Sequence, residues 1–471
     1  MGSTAPRTEG TFEGLSRPTG PNDVFDVPRS PVVPPHRPRP YPLPVCTSPR
    51  ITALAAAVVD LDESATAAAV ASFWAQVAVE GTPLVESDGT DHVVTFLWRD
   101  DAAQSVVLHL NKLTDFHDLR QSTMRRLPGT DVWHLSYRMP GTWRGSYTIG
   151  PLDVPVSEFD PTGAPDRTLW QRLRSATVTD PLNRFPLADG PDGPVLSTVS
   201  LPDAPAQPWL APRPGTPSGT ITVHRFESVA LGGTRTVRLW APPGDGQADL
   251  GGYGDGQADL GQRGDRQADL GQCGDLAVVV LLDGDLWGDQ GALGSTLDNL
   301  VAAGRIPPTA VLMVDPVDMP TRTRDLACNP YFVDFLVDEL LPWAGRRVPI
   351  TVDPARSVIA GQSLGGLTAA YAALRAPHRF GAVLSQSGSF WYPRDDWFAT
   401  RVAGTAAVRD IRWYLEVGTR EWDLLDRTRQ LRDILRAADA PVDYHEYDGG
   451  HDPVCWRGGL ADGLIALVGR A

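Results

Sequence analysis

The sequence predicts an α/β fold, a doubly wound and mostly parallel β-sheet, preceded by a small antiparallel β-sandwich-like domain. Three observations predict it. After residue 216, eight short apolar segments follow one another, the later six separated by helix-length patterns, an alternation that builds parallel sheets. One of those strands passes into one of those helices through a G-x-S-x-G pentapeptide, Gly361 to Gly365. Between residues 92 and 151, by contrast, the hydrophobic period is two, as in antiparallel strands with one face in a core. The length of 471 residues fits two domains with linkers.

Residues 1–49 are crowded with proline ("VPRSPVVPPHRPRPYPLP") and read as a disordered or polyproline-like tail. Residues 50–155 form the first domain. It opens with an alanine-rich helical stretch over 51–79, followed by the strands "HVVTFLWRD", "SVVLHLNKL", "DVWHLSYRM" and "RGSYTIGP" between polar turns. Residues 156–215 are rich in Pro, Asp and Gly and read as a connector with one helix, around "DRTLWQRLRSA". In the second domain, 216–471, strands are expected at 219–229, 233–241, 276–284, 310–316, 357–363, 381–388, 411–418 and 442–449. Helical patterns lie at "NPYFVDFLVDELLPWA", "LGGLTAAYAALRAP" and "LLDRTRQLRDILRAA". Residues 244–273 interrupt this order with a decapeptide repeat, "GDGQADLGGY", "GDGQADLGQR" and "GDRQADLGQC". A calcium-binding β-roll repeats a nonapeptide, so the segment reads as a flexible surface insertion.

A formal charge of −15 argues against nucleic acid as a partner, which requires a dense basic surface. No run approaches the roughly 18 apolar residues that cross a bilayer, and the N-terminal segment carries no apolar block of a secretion signal. The expectation is therefore a cytoplasmic protein without membrane insertion. Cys46, Cys273, Cys328 and Cys455 are scattered without zinc or redox spacing, so neither a metal nor another cofactor is expected. Among the 42 Lys and Arg residues, Lys112 is the single lysine.

The pentapeptide carries the chemistry. A nucleophile on a tight strand-to-helix turn needs small residues two positions to either side, here Gly361 and Gly365, and the helix N-terminus behind Ser363 favours developing negative charge. This is the nucleophile elbow of an α/β-hydrolase, in which the order is serine, acid, histidine. Of the three histidines after Ser363, His378 ends a helix and His445 alternates within a strand, whereas His451 follows the last strand in a glycine-rich loop and is the candidate base. The acid belongs after the strand "IRWYLEVG", where Glu421 and Asp423 both qualify. Glu421 is preferred because Asp423 can cap the next helix. One oxyanion donor is the N–H of Leu364. The other comes from "LLDGDLWGD", as the N–H of Asp285 or Leu286.

With these residues in place, the chain resembles the enterochelin (ferric enterobactin) esterases. The resemblance rests on "LLDGDLW", "RDLACNPYF" with "DELLPW", "GQSLGG", "SQSGSFWY" and "DGGHDPVCWRGGL", and on "VTFLWRD", "TDFHDLRQSTMRRLPGTDVW", "WRGSYTIGP" and "TDPLNRFPL" in the N-terminal part. It covers roughly residues 71 to 470 apart from the repeat. It implies a cytoplasmic serine esterase that opens the trilactone of a tricatechol siderophore to release iron, with a ferric catecholate as substrate. The alternative is an esterase or acyltransferase acting on another ester or thioester. "GTREW" resembles the family's G-x-R-E segment and supports Glu421. A trianionic aromatic substrate implies arginines and aromatic faces at the C-terminal ends of the strands, and Trp287, Arg322, Arg324, Trp391, Trp456 and Arg457 fall there. In the last loop, "DGGHDPVCWRGGL", the glycines would then shape the turn, and Trp456 and Arg457 would face the ligand.

Lengthening a surface loop costs only about 0.6 kcal/mol per doubling. Deletion of residues 245–272 is therefore expected to leave both the melting temperature and ester hydrolysis at their original values. Lost turnover at an unchanged melting temperature would give the repeat a role in the reaction.

Overall fold

A computed structural model describes residues 27, 31–35, 39, 42–115, 118–156, 167–188, 195–243, 276–288, 292–394 and 396–469. The decapeptide repeat and most of the proline-rich segment lie outside the described residues. Nine strands build the N-terminal part: β1 (Val45–Cys46), β2 (Leu84–Asp88), β3 (Asp91–Arg99), β4 (Ser105–Leu110), β5 (Arg125–Arg126), β6 (Val132–Pro140), β7 (Arg144–Leu152), β8 (Pro186–Ala188) and β9 (Val195–Ser200). They form two antiparallel sheets, ordered β1-β6-β3-β2, with β5 also on β6, and β4-β7-β9-β8. The period of two places Val94, Phe96, Leu135 and Tyr137 of the first sheet against Val106, Leu108, Tyr147 and Ile149 of the second, in one core. Helices Pro49–Val58 and Glu63–Glu80 cover the other face of the first sheet through Ile51, Phe73, Trp74 and Val77.

Two boundaries differ from expectation. Leu43 is buried in the N-terminal core and Val45–Cys46 pairs with β6, so the domain takes in the end of the proline-rich segment. Ser48 then caps the first helix, accepting from the N–H groups of Arg50 and Ile51. The connector contributes β8 and β9 to the second sheet. Both strands are short, and the surrounding Pro, Asp and Gly hide their pattern.

The second domain follows the expected order: β10 (Thr220–Ser228), β11 (Gly233–Ala241), β12 (Ala277–Leu282), β13 (Thr309–Val314), β14 (Ser357–Gln362), β15 (Ala382–Gln386), β16 (Arg412–Gly418) and β17 (Val442–Tyr447). Their spatial order is β10-β11-β13-β12-β14-β15-β16-β17. The contacts β10/β11 and β11/β13 are antiparallel, and the remaining five are parallel. Every residue of β12, β13, β14 and β15 is buried, as expected for strands covered on both faces. Helices Leu364–Arg375, Trp397–Ala403 and Leu425–Ala437 pack on one face, Ala292–Ala302 and Pro453–Val468 on the other. From the central strand β12 the chain passes to β13 on one side and then to β14 on the other. This switch opens a crevice at the C-terminal ends of β12 and β14, immediately before Asp283 and Ser363.

The last glycine-rich stretch is mostly helical. Asp452 caps helix Pro453–Val468 by accepting from the Val454 N–H at 3.1 Å, and Pro453 occupies its first position. Gly459 and Gly463 do not shape a loop; they let the helix lie close to the sheet. A Cβ at Gly459 would overlap the Glu416 carboxyl, and one at Gly463 would approach Leu384 Cδ1 to 2.6 Å. Gly459→Ala is therefore expected to cost about 1 to 3 kcal/mol of stability by overpacking, measured as a lower denaturation midpoint. An unchanged midpoint would place the helix farther from β16 than described.

Candidate active site

Ser363 sits at φ +58° and ψ −121°, a conformation that a non-glycine residue adopts at a cost of about 1 to 3 kcal/mol. Its surroundings hold it there. The Ser363 N–H donates to Gln386 O at 3.0 Å, and its carbonyl accepts from the Ser389 N–H at 2.9 Å. Gly361 is sterically required, and Gly365 is tightly placed. A Cβ on Gly361 would lie 2.6 Å from the Gly365 carbonyl carbon, and one on Gly365 would lie 3.2 Å from Asp283 Oδ2. Gly366 is a third, since a Cβ there would meet Ser385 Oγ at 2.7 Å. Leu364 opens the helix behind the nucleophile, so its N–H is one of those that no helical carbonyl can reach.

The loop after β12 distinguishes the two candidates for the second oxyanion donor. The Leu286 N–H is already engaged, with Asp283 O at 3.1 Å and Asp285 Oδ1 at 2.9 Å. The Asp285 N–H lies in the first turn of helix Gly284–Gly288 and is engaged by its own carboxylate, which a side-chain rotation can release. The geometry therefore favours Asp285. Its carboxyl is pushed up to about 6, first by burial and then by the neighbouring charge of Asp283.

His451 meets Glu421. Its Nδ1 lies 2.6 Å from Glu421 Oε2, and the carboxylate is fully buried. The other oxygen, Oε1, accepts from Ser387 Oγ at 2.7 Å, the Gly418 N–H at 2.8 Å and Tyr447 OH at 3.1 Å. Burial alone would raise the Glu421 pKa, but the charge and hydrogen bond of His451, the charge of Lys112 and the Ser387 hydrogen bond outweigh it and hold the acid below its ordinary range. Asp423 turns away to an ion pair with Lys112 at 2.9 Å. The Ser363 hydroxyl, among the described residues, hydrogen-bonds Ser389 Oγ at 3.4 Å and not His451. Such bonds are commonly long in free enzymes and tighten when substrate binds.

The expected ligand residues are placed differently. Trp287, Trp391 and Trp456 are 6, 6 and 5% exposed and belong to the cores on the two faces of the sheet. Trp456 supports the acid: its indole N–H lies 3.0 Å from Ser387 Oγ and 3.1 Å from Tyr447 OH, and its ring meets the His451 ring edge-on at 4.7 Å. Arg322 is bound bidentately to Asp283 at 2.6 and 2.7 Å. Arg457 donates to Gln207 Oε1 at 3.1 Å. Arg324 pairs with Asp325 while remaining 54% exposed; Val317, Met319 and Tyr331, in the same stretch of chain, are also exposed. Large aromatic rings at strand ends were drawn into the core by their area, a preference that position along the chain does not reveal.

A row of amides behind the nucleophile was not anticipated. Gln362, Gln386 and Glu416 are register partners on β14, β15 and β16. Trp287 Nε1 donates to Gln362 Oε1 at 3.3 Å, Gln362 Nε2 to Gln386 Oε1 at 2.9 Å, and Gln386 Nε2 to Glu416 Oε1 at 2.6 Å. Burial pushes Glu416 up to about 8, so it is protonated at neutral pH. A folded pKa above the unfolded one contributes stability that is complete below the unfolded value and lost as pH rises to the folded value. Glu416→Gln lacks this loss. Relative to the parent it is expected to gain up to about 1.4 kcal/mol per pH unit between pH 5 and 8, read by denaturant unfolding at both ends. Parallel stability profiles would mean that Glu416 is ionised in the fold.

Two family models match the chain: "Enterochelin esterase, N-terminal" over residues 93–210 and "Esterase" over residues 271–467. An iron(III) enterobactin esterase of Dickeya dadantii is 36% identical over 433 residues, covering 84% of this chain and 92% of its own length. An iron(III) salmochelin esterase of Escherichia coli is 30% identical, covering 84% and 93%. The crystal structure of the ferric enterobactin esterase of Salmonella typhimurium superposes with a TM-score of 0.70 at 32% identity, covering 84% of this chain and 98% of that one. The Shigella flexneri enterobactin esterase, solved in the presence of enterobactin, gives 0.68 at 30% identity, with coverage of 84% and 97%.

Proposed function

The chain belongs to the enterochelin esterase family, and from that premise we propose that it hydrolyses the ester bonds of a ferric, tricatechol trilactone siderophore of the enterobactin type, with Ser363, His451 and Glu421 as its triad. The observation that carries the reading is the Glu421–His451 hydrogen bond of 2.6 Å, placed after the strands from which a hydrolase draws its acid and base. Glu421 fixes the proton on Nδ1, leaving Nε2 to take the Ser363 proton as Oγ adds to a lactone carbonyl. The oxyanion is received by the N–H groups of Leu364 and Asp285. The imidazolium then returns its proton to the departing seryl alcohol, and water repeats the sequence on the acyl-enzyme. Iron enters as part of the substrate. The half-exposed guanidinium of Arg324 supports recognition of an anionic complex. We place the reaction in the cytoplasm, the compartment to which the family resemblance points.

Incubation with ferric and with iron-free enterobactin, followed by chromatography, is expected to yield dihydroxybenzoylserine oligomers. Because triad members act as a unit, Ser363→Ala and His451→Ala should each lose at least about 10³-fold in kcat, with the double variant little worse than either. Wild-type product formation by Ser363→Ala would overturn the assignment.

A further inference from the structure

The loop that carries His451 is held from outside its own domain. Asn111 Nδ2, in the turn after β4 of the N-terminal domain, donates to the His451 carbonyl at 2.8 Å. Gly450 is pressed against the same turn: a Cβ there would lie 2.7 Å from Asn111 Oδ1, 2.9 Å from Asn111 O and 3.0 Å from Lys112 Cβ. On the other side of His451, the Asp452 carboxylate accepts from the Ser146 N–H of β7 at 2.6 Å. The acid is approached in the same way. Lys112 Nζ lies 2.9 and 3.1 Å from the two oxygens of Asp423, two residues beyond Glu421.

The turn is itself conformationally unfavourable. Lys112 has φ +59°, in the left-handed region that glycine occupies at no steric cost. Asn111 Oδ1 is buried without a hydrogen-bond partner among the described residues. Two unfavourable features in consecutive residues persist only where surrounding structure over-determines them, and such outliers cluster at functional sites. Here both residues aim at the triad loops. Lys112 is also the single lysine among 42 Lys and Arg residues. A compact ammonium satisfies both oxygens of one carboxylate in a space only partly open to solvent, with Lys112 27% and Asp423 14% exposed.

We propose that the Asn111–Lys112 turn is a positioning element for the reaction, Asn111 fixing the backbone of His451 and Lys112 fixing the Glu421 loop through Asp423, so that the N-terminal domain completes the geometry of the triad. The proposal rests on the Ser363–His451–Glu421 reading. Neither side chain reacts. Asn111 acts through the His451 backbone and Lys112 through the loop that carries Glu421, so the effect of each falls on turnover and is the same for every ester.

The test uses the full chain and two substrates, ferric enterobactin and p-nitrophenyl acetate. Asn111→Asp keeps the shape but cannot donate to the His451 carbonyl. It is expected to lower kcat about tenfold per mole of folded enzyme on both substrates, with KM nearly unchanged. Lys112→Asp and Asp423→Lys should each lower kcat similarly, and the exchanged pair Lys112→Asp/Asp423→Lys should recover most of the loss. A purely structural contact between domains would lower the melting temperature while leaving kcat per folded molecule unchanged, and that result overturns the proposal. So would a loss confined to KM, or one seen only with the siderophore, which would place the turn at the substrate. Ser363→Ala is the control that separates the two readings. If it is inactive while the turn variants are fully active, the triad stands and the positioning role fails; if it remains active, the triad reading fails first.

Discussion

A fully buried carboxylate is the constraint on which the rest of the site depends. Glu421 is 0% exposed, and an ionised group removed from water is tolerated only when its oxygens are hydrogen-bonded and its charge is opposed. The sequence meets this demand from four places. Ser387 follows β15, Gly418 ends β16, Tyr447 ends β17, and His451 closes the loop beyond it. Ser387 and Gly418 donate to Oε1 while Oε2 faces the imidazole, and an ionised acid there favours the tautomer with its proton on Nδ1. Trp456 belongs to this arrangement. Its indole N–H bonds Ser387 and Tyr447, so the helix that follows His451 reinforces the acid it serves.

Close backbone approach is the second requirement, and it explains the glycines better than loop flexibility does. The nucleophile turn needs Gly361, Gly365 and Gly366 because helix Leu364–Arg375 starts against the strand ends it has just left. On the opposite face, Gly459 and Gly463 bring helix Pro453–Val468 down onto Glu416 and Leu384. That approach encloses the Gln362–Gln386–Glu416 row, which rigidifies the three adjacent strand ends behind the serine only because each member is satisfied.

The parts of the fold legible in the sequence were those encoded by local periodicity. The central strands β12 to β15 of the hydrolase sheet appear as nearly continuous apolar runs because both faces are covered, and the elbow appears because its glycines, serine and flanking period coincide in eleven residues or so. Strand order pointed to Ser363 and His451 and narrowed the acid to Glu421 or Asp423, between which helix capping and the family segment favoured Glu421. What escaped was decided by tertiary packing. The three-residue β8 carries too few alternations to register, and β9 (VLSTVS) is half serine and threonine within a Pro-, Asp- and Gly-rich stretch. The burial of Trp287, Trp391 and Trp456 depends on which face of the sheet their loops fold back upon. Asn111 and Lys112 lie more than 300 residues from their partners, and nothing local to "LNKLT" signals them.

The arginines show most clearly why a charge found near a site is not yet a ligand contact. Arg322 lies beside the crevice, as its position after β13 implied, but its guanidinium is consumed by Asp283 through two short bonds. Asp283 in turn stands at φ +54°, at a corner two residues before Asp285, and its Oδ2 would lie 3.2 Å from a Cβ on Gly365. A buried carboxylate at that corner without Arg322 would repel the very oxyanion the loop receives. Pairing it removes the net charge while keeping the backbone in place, so Arg322 serves the chemistry by neutralising the scaffold. Arg324, half exposed beside its paired Asp325, keeps its guanidinium in water, which supports its proposed part in recognising an anionic substrate. Two arginines two positions apart on one short helix thus differ in exposure, according to which carboxylate each reaches.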